Sequence, residues 1–109
     1  TADYFRLAGL GMAYHALGDT QKSDQALMEL TENSSEFAAF QIAEAHAFRG
    51  ENDAALAWLY RALESMDGGL AVLLGNPVFT ELTSDVRYQA LVEKLGLLSY
   101  FQDLRLPSS

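Results

Sequence analysis

The sequence contains no cysteine, and only two of its 109 residues are proline. Without cysteine, disulfide bonds, thiolate metal sites and a cysteine nucleophile are excluded. Isoleucine, valine and threonine are sparse, whereas alanine, leucine and glutamate are abundant, a balance that favours helices over strands. Since half the residues are apolar, a packed core is expected and disorder is not. No apolar run approaches the ~20 residues needed to span a bilayer.

Basic residues are also few: seven lysines and arginines face fifteen aspartates and glutamates, giving a net charge of -8. An acidic surface repels phosphate groups, so nucleic acid and anionic membranes are poor partner candidates. The sequence has neither a starting methionine nor a signal-peptide pattern. We therefore expect the C-terminal piece of a longer cytoplasmic protein, with a periplasmic location as the alternative if the parent protein spans a membrane.

An internal repeat runs through the first part of the chain. The stretch starting at Leu10 reads LGMAYHALGDTQKSDQALMEL, and it aligns without gaps with IAEAHAFRGENDAALAWLYRA, which starts at Ile42. This alignment places Gly18 over Gly50. A repeat of this length is typical of stacked helical units that cannot bury their apolar faces alone.

The residues of the first unit predict a helical hairpin. Gly18 and Gly50 stand where the first helix of each unit should end, a position that favours a left-handed residue. Two helix-turn-helix units are therefore predicted, at 3–33 and 35–66. The apolar residues spaced at i, i+3, i+4 and i+7 along the first helix are Leu7, Leu10, Gly11 and Tyr14.

Polar residues after the glycines predict helix caps. Asp19 or Thr20 is expected to cap the second helix of the first unit. In the second unit the expected cap is Asn52 or Asp53.

The remainder, 68–104, is predicted to form less regular capping helices. Asn76 can start a short turn of helix, with a proline in the first helical position. Ser84 or Asp85 can cap a last clear helix, which Gly96 is expected to close.

The residues between Leu10 and Asp19 resemble the tetratricopeptide repeat, with the spacing Leu-Gly-x-x-Tyr-x-x-x-Gly-Asp. The second unit carries residues at the family's small and turn positions, namely Ala43, His46, Gly50, Ala55 and Ala62. Two departures are His46, where the family often has tyrosine, and Ser23, where it has alanine. The resemblance implies a right-handed superhelix of two helix hairpins followed by a divergent C-terminal helical cap.

The segment 41–97 also looks like the C-terminal end of repeat arrays in bacterial multidomain signalling proteins, behind adenylate-cyclase-type, protein-kinase or winged-helix domains. This likeness implies a protein–protein interaction scaffold, a regulatory C-terminal module that binds a protein or peptide. The alternative is a structural module that forms homodimers or stacks on other repeats and recognises no separate ligand.

A partner groove is implied by the same resemblance, because the first helix of each hairpin lines the concave surface in that family. We expect a helix or an extended peptide to bind there, and we expect Phe40→Ser to weaken partner capture without unfolding the domain. The alternative is that the phenylalanines pack against neighbouring helices. The residues that the register places in this groove are Phe5, Ala8, Met12, His15, Phe37, Phe40, Glu44 and Phe48.

No pattern in the sequence indicates catalysis. His15 and His46 lie in different hairpins, without a carboxylate at ligand spacing from both. There is no nucleophile elbow and no glycine-rich phosphate loop. A carboxylate clamp for a peptide C-terminus is not expected either, because Ala8 and Met12 occupy positions that would have to be basic or amide residues. We therefore expect no enzyme activity, no metal and no cofactor.

Overall fold

The computed structural model describes residues 3–34, 38–65, 73 and 76–105, with the side chains of 3, 34 and 97–105 excepted. Every regular element in these ranges is helical, which confirms the all-α prediction. The elements are α1 (Asp3–Ala16), α2 (Thr20–Ser34), α3 (Ala39–Phe48), α4 (Asn52–Glu64), a 3₁₀ helix (Pro77–Leu82) and α5 (Val86–Arg105).

Glycines with positive φ end the first helix of each pair. Helix α1 packs against α2, and α3 packs against α4. In the turns between them φ is 84° at Gly18 and 78° at Gly50. Side chains with a Cβ rarely adopt this conformation. The sequence prediction of left-handed glycines at these two positions is confirmed.

Aspartates cap two of the helices as predicted. An Asp19 carboxylate oxygen accepts the backbone N–H of Lys22 at 3.1 Å at the start of α2. At the start of α5 an Asp85 oxygen accepts the backbone N–H of Arg87 at 2.8 Å. Both bonds satisfy a donor that the first turn of a helix leaves unpaired.

Helix α4 begins without a side-chain cap, so the prediction for it is wrong. Its N-cap residue is Glu51, and Asn52 is already the first helical residue. The Glu51 carboxylate does not reach the helix backbone because it contacts His46 and Arg49 instead.

The C-terminal part agrees with the prediction at its start and differs at its end. An Asn76 oxygen accepts the backbone N–H of Val78 at 3.1 Å, and Pro77 occupies the first turn of the 3₁₀ helix. Helix α5 continues through Gly96 to Arg105, so the prediction that Gly96 closes it is wrong. A single glycine costs a helix only about 1 kcal/mol. Position 68, the predicted start of the capping unit, lies outside the described residues.

Close approach of α1 and α2 depends on two small residues. A Cβ on Gly11 would lie 3.1 Å from Cδ2 of Leu27. Ser23 is completely buried, and its hydroxyl donates to the Gly11 carbonyl oxygen at 2.7 Å. The buried hydroxyl is therefore satisfied, as burial requires.

Two apolar clusters form the core, and Trp58 contacts both. One cluster joins the first hairpin to α3, and the other joins α3 and α4 to the 3₁₀ helix and α5. Arg61 lies over the Trp58 ring at 4.4 Å. In the described part of the chain no helix combines the length and the apolar character needed to cross a membrane.

Candidate functional site

The structure places the four predicted groove residues of α1 in different environments. Phe5 is 57% exposed, whereas Ala8 is buried in the cluster between the hairpins. Met12 is half-buried and packs against the same cluster. His15 is half-buried near the end of α1. Ala8 cannot line an open groove, and that prediction is wrong because α3 covers it.

Phe40 belongs to the core, which corrects its assignment to the groove. It is 2% exposed, and its ring meets that of Phe79 edge to face at 5.6 Å between centroids. Phe79, on the 3₁₀ helix, therefore covers a side chain that the repeat register placed in the groove. Removing this side chain would disturb packing and not only binding. Phe37 lies outside the described residues.

Glu44 and Phe48 complete the predicted set on α3. A Glu44 carboxylate oxygen accepts a hydrogen bond from the Asn76 amide at 2.7 Å, so Glu44 helps to anchor the start of the 3₁₀ helix. Phe48 is 43% exposed at the end of α3. Its ring meets the His15 ring edge to face, 6.0 Å between centroids.

His15 and Phe48 lie in an open cleft of about 520 Å³. The ends of α1 and α3 form one wall, and the 3₁₀ helix forms the other, with Pro77 and Val78. Glu81 brings a carboxylate to this cleft. We call it the His15–Phe48 cleft; it contains two of the eight residues that the sequence assigned to a groove.

A larger and more acidic groove of about 860 Å³ lies beside α2 and the turn between α3 and α4. The apolar side chains that line this groove include Met28, which is 58% exposed. Arg49 is the one basic residue other than histidine in its described lining. The carboxylates in that lining belong to Asp24, Glu32, Glu51 and Asp53.

Arg49 is held by both hairpins. Its guanidinium donates to the Ser23 hydroxyl at 3.0 Å and to carboxylate oxygens of Asp24 at 2.6 Å and Glu51 at 3.0 Å. The side chain is 10% exposed, and its Nε is buried without a partner. Sequence reasoning missed this residue, because an arginine at a helix end resembles an ordinary surface charge.

The neighbours of Glu51 control its ionisation. Partial burial alone would raise its pKa, but the hydrogen bond from His46 at 2.8 Å and the charge of Arg49 outweigh that effect. The pKa of Glu51 is therefore lowered. For Arg49, burial alone would lower the pKa, and the bonds to Asp24 and Glu51 raise it on balance. Both groups carry their charges at neutral pH.

The described residues include no group of three or more histidine, aspartate or glutamate side chains that could hold a metal ion. His46 contacts Glu51, whereas His15 contacts Phe48, so the two histidines do not share a site. Comparison of the chain with protein-family models, curated proteins and solved structures gave no match.

Proposed function

We propose that this chain is a protein-interaction module of the tetratricopeptide type, a regulatory part of a bacterial signalling or transcription-regulatory protein. The His15–Phe48 cleft would hold a short helix or extended segment of the partner. The observation that carries this proposal is the exposure of Phe48 beside His15 in an open cleft that has both apolar and polar lining residues. Contiguous exposed apolar surface rimmed by polar residues marks interaction sites.

The lining of the cleft suggests what the partner carries. Phe48 and Val78 offer apolar area on opposite walls, which suits one apolar side chain of the partner. Arg49 also lines the cleft, but its guanidinium pairs with Asp24 and Glu51. Glu81 lies exposed in the cleft of a chain with a net charge of -8, so a basic side chain beside the apolar one would be favoured. The partner class is therefore a protein segment with an apolar anchor next to lysine or arginine.

Selection from a random peptide library on the immobilised full chain tests this proposal. We expect enriched peptides to combine an apolar and a basic residue, and their affinity to fall at least tenfold with Phe48→Ser. Phe5→Ser is the matched control. Like Phe48, Phe5 is an exposed phenylalanine on the first helix of a hairpin, but it lies outside the cleft. Circular dichroism verifies that both variants fold.

Two results would count against the cleft. Selected peptides that bind Phe48→Ser as well as the parent chain would place the binding surface elsewhere. The second result concerns the alternative function, self-association, which light scattering over about two decades of concentration tests. A dimer that Phe48→Ser dissociates would mean that the cleft serves self-association and not a separate partner.

A further inference from the structure

The acidic groove beside α2 is also lined by apolar side chains. Leu27 and Met28 of α2 belong to its lining, the first buried and the second 58% exposed. Ala54 of α4 belongs to it as well. The volume of about 860 Å³ lies within the ~300–1,000 Å³ that is usual for binding sites. We call this surface the α2 groove; it offers apolar contact area and charge together.

The carboxylates of the α2 groove outnumber its cations. Four carboxylates line it, whereas Arg49 contributes its one guanidinium among the described residues. Two of these carboxylates pair with that guanidinium, at 2.6 Å and 3.0 Å. The other two belong to Glu32, which is exposed, and to Asp53, whose side chain is 89% exposed although Arg87 pairs with it. A cation that enters the groove therefore meets negative charge that Arg49 does not compensate.

A buried donor without a partner gives a second, independent indication of a ligand. Arg49 lines the groove with a side chain that is 10% exposed. Its terminal nitrogens bond to Ser23, Asp24 and Glu51, whereas its Nε is buried without a hydrogen-bond partner among the described residues. Buried polar groups are nearly always paired with protein, water or a ligand. The backbone carbonyl groups of a bound peptide are acceptors, which a metal ion or a protonated polyamine lacks.

We propose that the α2 groove is a second binding site, which takes a protein segment with several lysine or arginine side chains around one apolar side chain. The basic side chains contact Glu32 and Asp53, and the apolar side chain contacts Met28. Charge complementarity selects this class of partner, because the groove places an excess of carboxylates beside apolar surface in a chain of net charge -8.

The α2 groove and the His15–Phe48 cleft meet at the turn between α3 and α4. Arg49 and Gly50 line both, and the other described lining residues differ. Substitutions can therefore inactivate the two sites separately, since Phe48 belongs to the cleft and Glu32 to the groove. The proposal stands or falls independently of peptide binding in the cleft.

A second copy of this chain is a poor occupant of the α2 groove. It would bring a net charge of -8 to an acidic surface, and like charges repel. Arg49 and Arg87, two of its seven basic residues, already pair with carboxylates of their own chain. The groove therefore fits a partner that is richer in basic residues than this chain is.

Selection from a random peptide library on the immobilised Phe48→Ser chain tests the groove with the cleft disabled. We expect the enriched peptides to contain several lysine or arginine residues and an apolar residue. Fluorescence anisotropy with labelled copies of these peptides measures their affinity. Replacing their basic residues with glutamine should weaken binding at least tenfold, because the charge contacts would be lost.

Two matched double variants, each made in the Phe48→Ser chain, locate the binding surface. Met28→Ser with Glu32→Gln removes one exposed apolar side chain and one exposed carboxylate from the groove. Leu17→Ser with Glu29→Gln removes the same two kinds of group from positions outside its lining. Both variants have the same net charge, so general attraction of cations to the acidic chain is equal in both. We expect the first to weaken binding about tenfold and the second less than about twofold. Circular dichroism verifies that both fold.

Three results of these experiments would overturn the proposal. One is a selection that enriches no peptide, or only peptides without lysine and arginine. If the parent chain still yields peptides that Phe48→Ser weakens, the groove proposal then fails while the proposed function stands. Another is an equal loss of affinity in the two double variants, which would show general attraction and not a site. The third is spermine that binds as tightly as the peptides and with the same dependence on Glu32, which would make the groove a site for small polycations.

Light scattering excludes or identifies the remaining occupant. We expect the parent chain and the Met28→Ser, Glu32→Gln variant to have the same mass in solution. A dimer of the parent chain that this variant dissociates would make a second copy the occupant and would overturn the proposal.

Discussion

The guanidinium of Arg49 donates a 3.0 Å hydrogen bond to the hydroxyl of Ser23, across the boundary between the two hairpins. The same hydroxyl donates to the carbonyl oxygen of Gly11 on α1. A chain of hydrogen bonds thus connects α1, α2 and the end of α3. Because Ser23 is completely buried and Arg49 nearly so, these bonds form in surroundings where an unpaired group would be costly.

Arg49→Ala should lower the free energy of unfolding by about 2 kcal/mol, since hydrogen bonds to charged groups contribute roughly 1.5–3 kcal/mol. Urea denaturation followed by circular dichroism measures the change. Lys22→Ala is the control, because its ion pair with Asp19 is long, at 3.9 Å, and exposed. That variant should lose less than about 1 kcal/mol. Equal losses in the two variants would show that the Arg49 bonds do not stabilise the fold.

Phe40→Ala should be far more destabilising than Phe48→Ala. Phe40 is 2% exposed against Phe79, and a phenylalanine removed from a core costs about 3–5 kcal/mol. Phe48 is 43% exposed, and its removal should cost less than about 1 kcal/mol. Thermal denaturation of the two variants separates them. A Phe40→Ala protein as stable as the parent chain would indicate that Phe40 lies at the surface, as the sequence prediction had it.

Gly9→Ala and Gly11→Ala should shift stability in opposite directions, although both lie in α1. A Cβ on Gly9 meets no atom within 4 Å, so alanine should stabilise the helix by about 0.5–1 kcal/mol. A Cβ on Gly11 would lie 3.1 Å from the buried Leu27 side chain. Displacing Leu27 should produce a net loss of about 1 kcal/mol. Urea midpoints test this pair, and a stabilised Gly11→Ala protein would show that α2 can move away.

Stability should decrease in acid, below about pH 4.5, because the pKa of Glu51 is lowered in the folded protein. A carboxyl group whose pKa is lower in the folded than in the unfolded protein stabilises the fold fully at pH values above its unfolded-state pKa. This stabilisation is lost as the pH falls through the folded-state pKa. Asp85 acts in the same direction, because the hydrogen bonds from Arg87 lower its pKa. The Tm between pH 7 and pH 3 measures the effect.

Glu51→Gln should make that decrease in Tm shallower. Glu29→Gln is the control for loss of one negative charge at an exposed position of α2. A Tm profile identical in the parent and the Glu51→Gln chain would exclude a role for the Glu51 contacts with His46 and Arg49.

The local features of the fold could be predicted from the sequence. The positive φ at Gly18 and the Asp19 cap each follow from the residue and its near neighbours. Gly96 misled the prediction, because an exposed glycine weakens a helix without ending it.

The candidate site could be predicted only in part, because it depends on contacts between distant segments. Nothing in the periodicity of α3 shows that Phe79 covers Phe40, since the 3₁₀ helix comes much later in the chain. Arg49 was missed for the same reason, because Ser23 and Asp24 belong to the other hairpin. His15 and Phe48 were assigned to one surface by the repeat register, and the structure brings their rings together.

Trp58 is the sole tryptophan of the chain, and it packs against both core clusters. Its indole emission therefore depends on the two halves of the molecule at once. If one cluster opened before the other, the fluorescence would change in two steps. If the hairpins and the C-terminal helices separate together, a single optical transition would follow the whole domain without any added label.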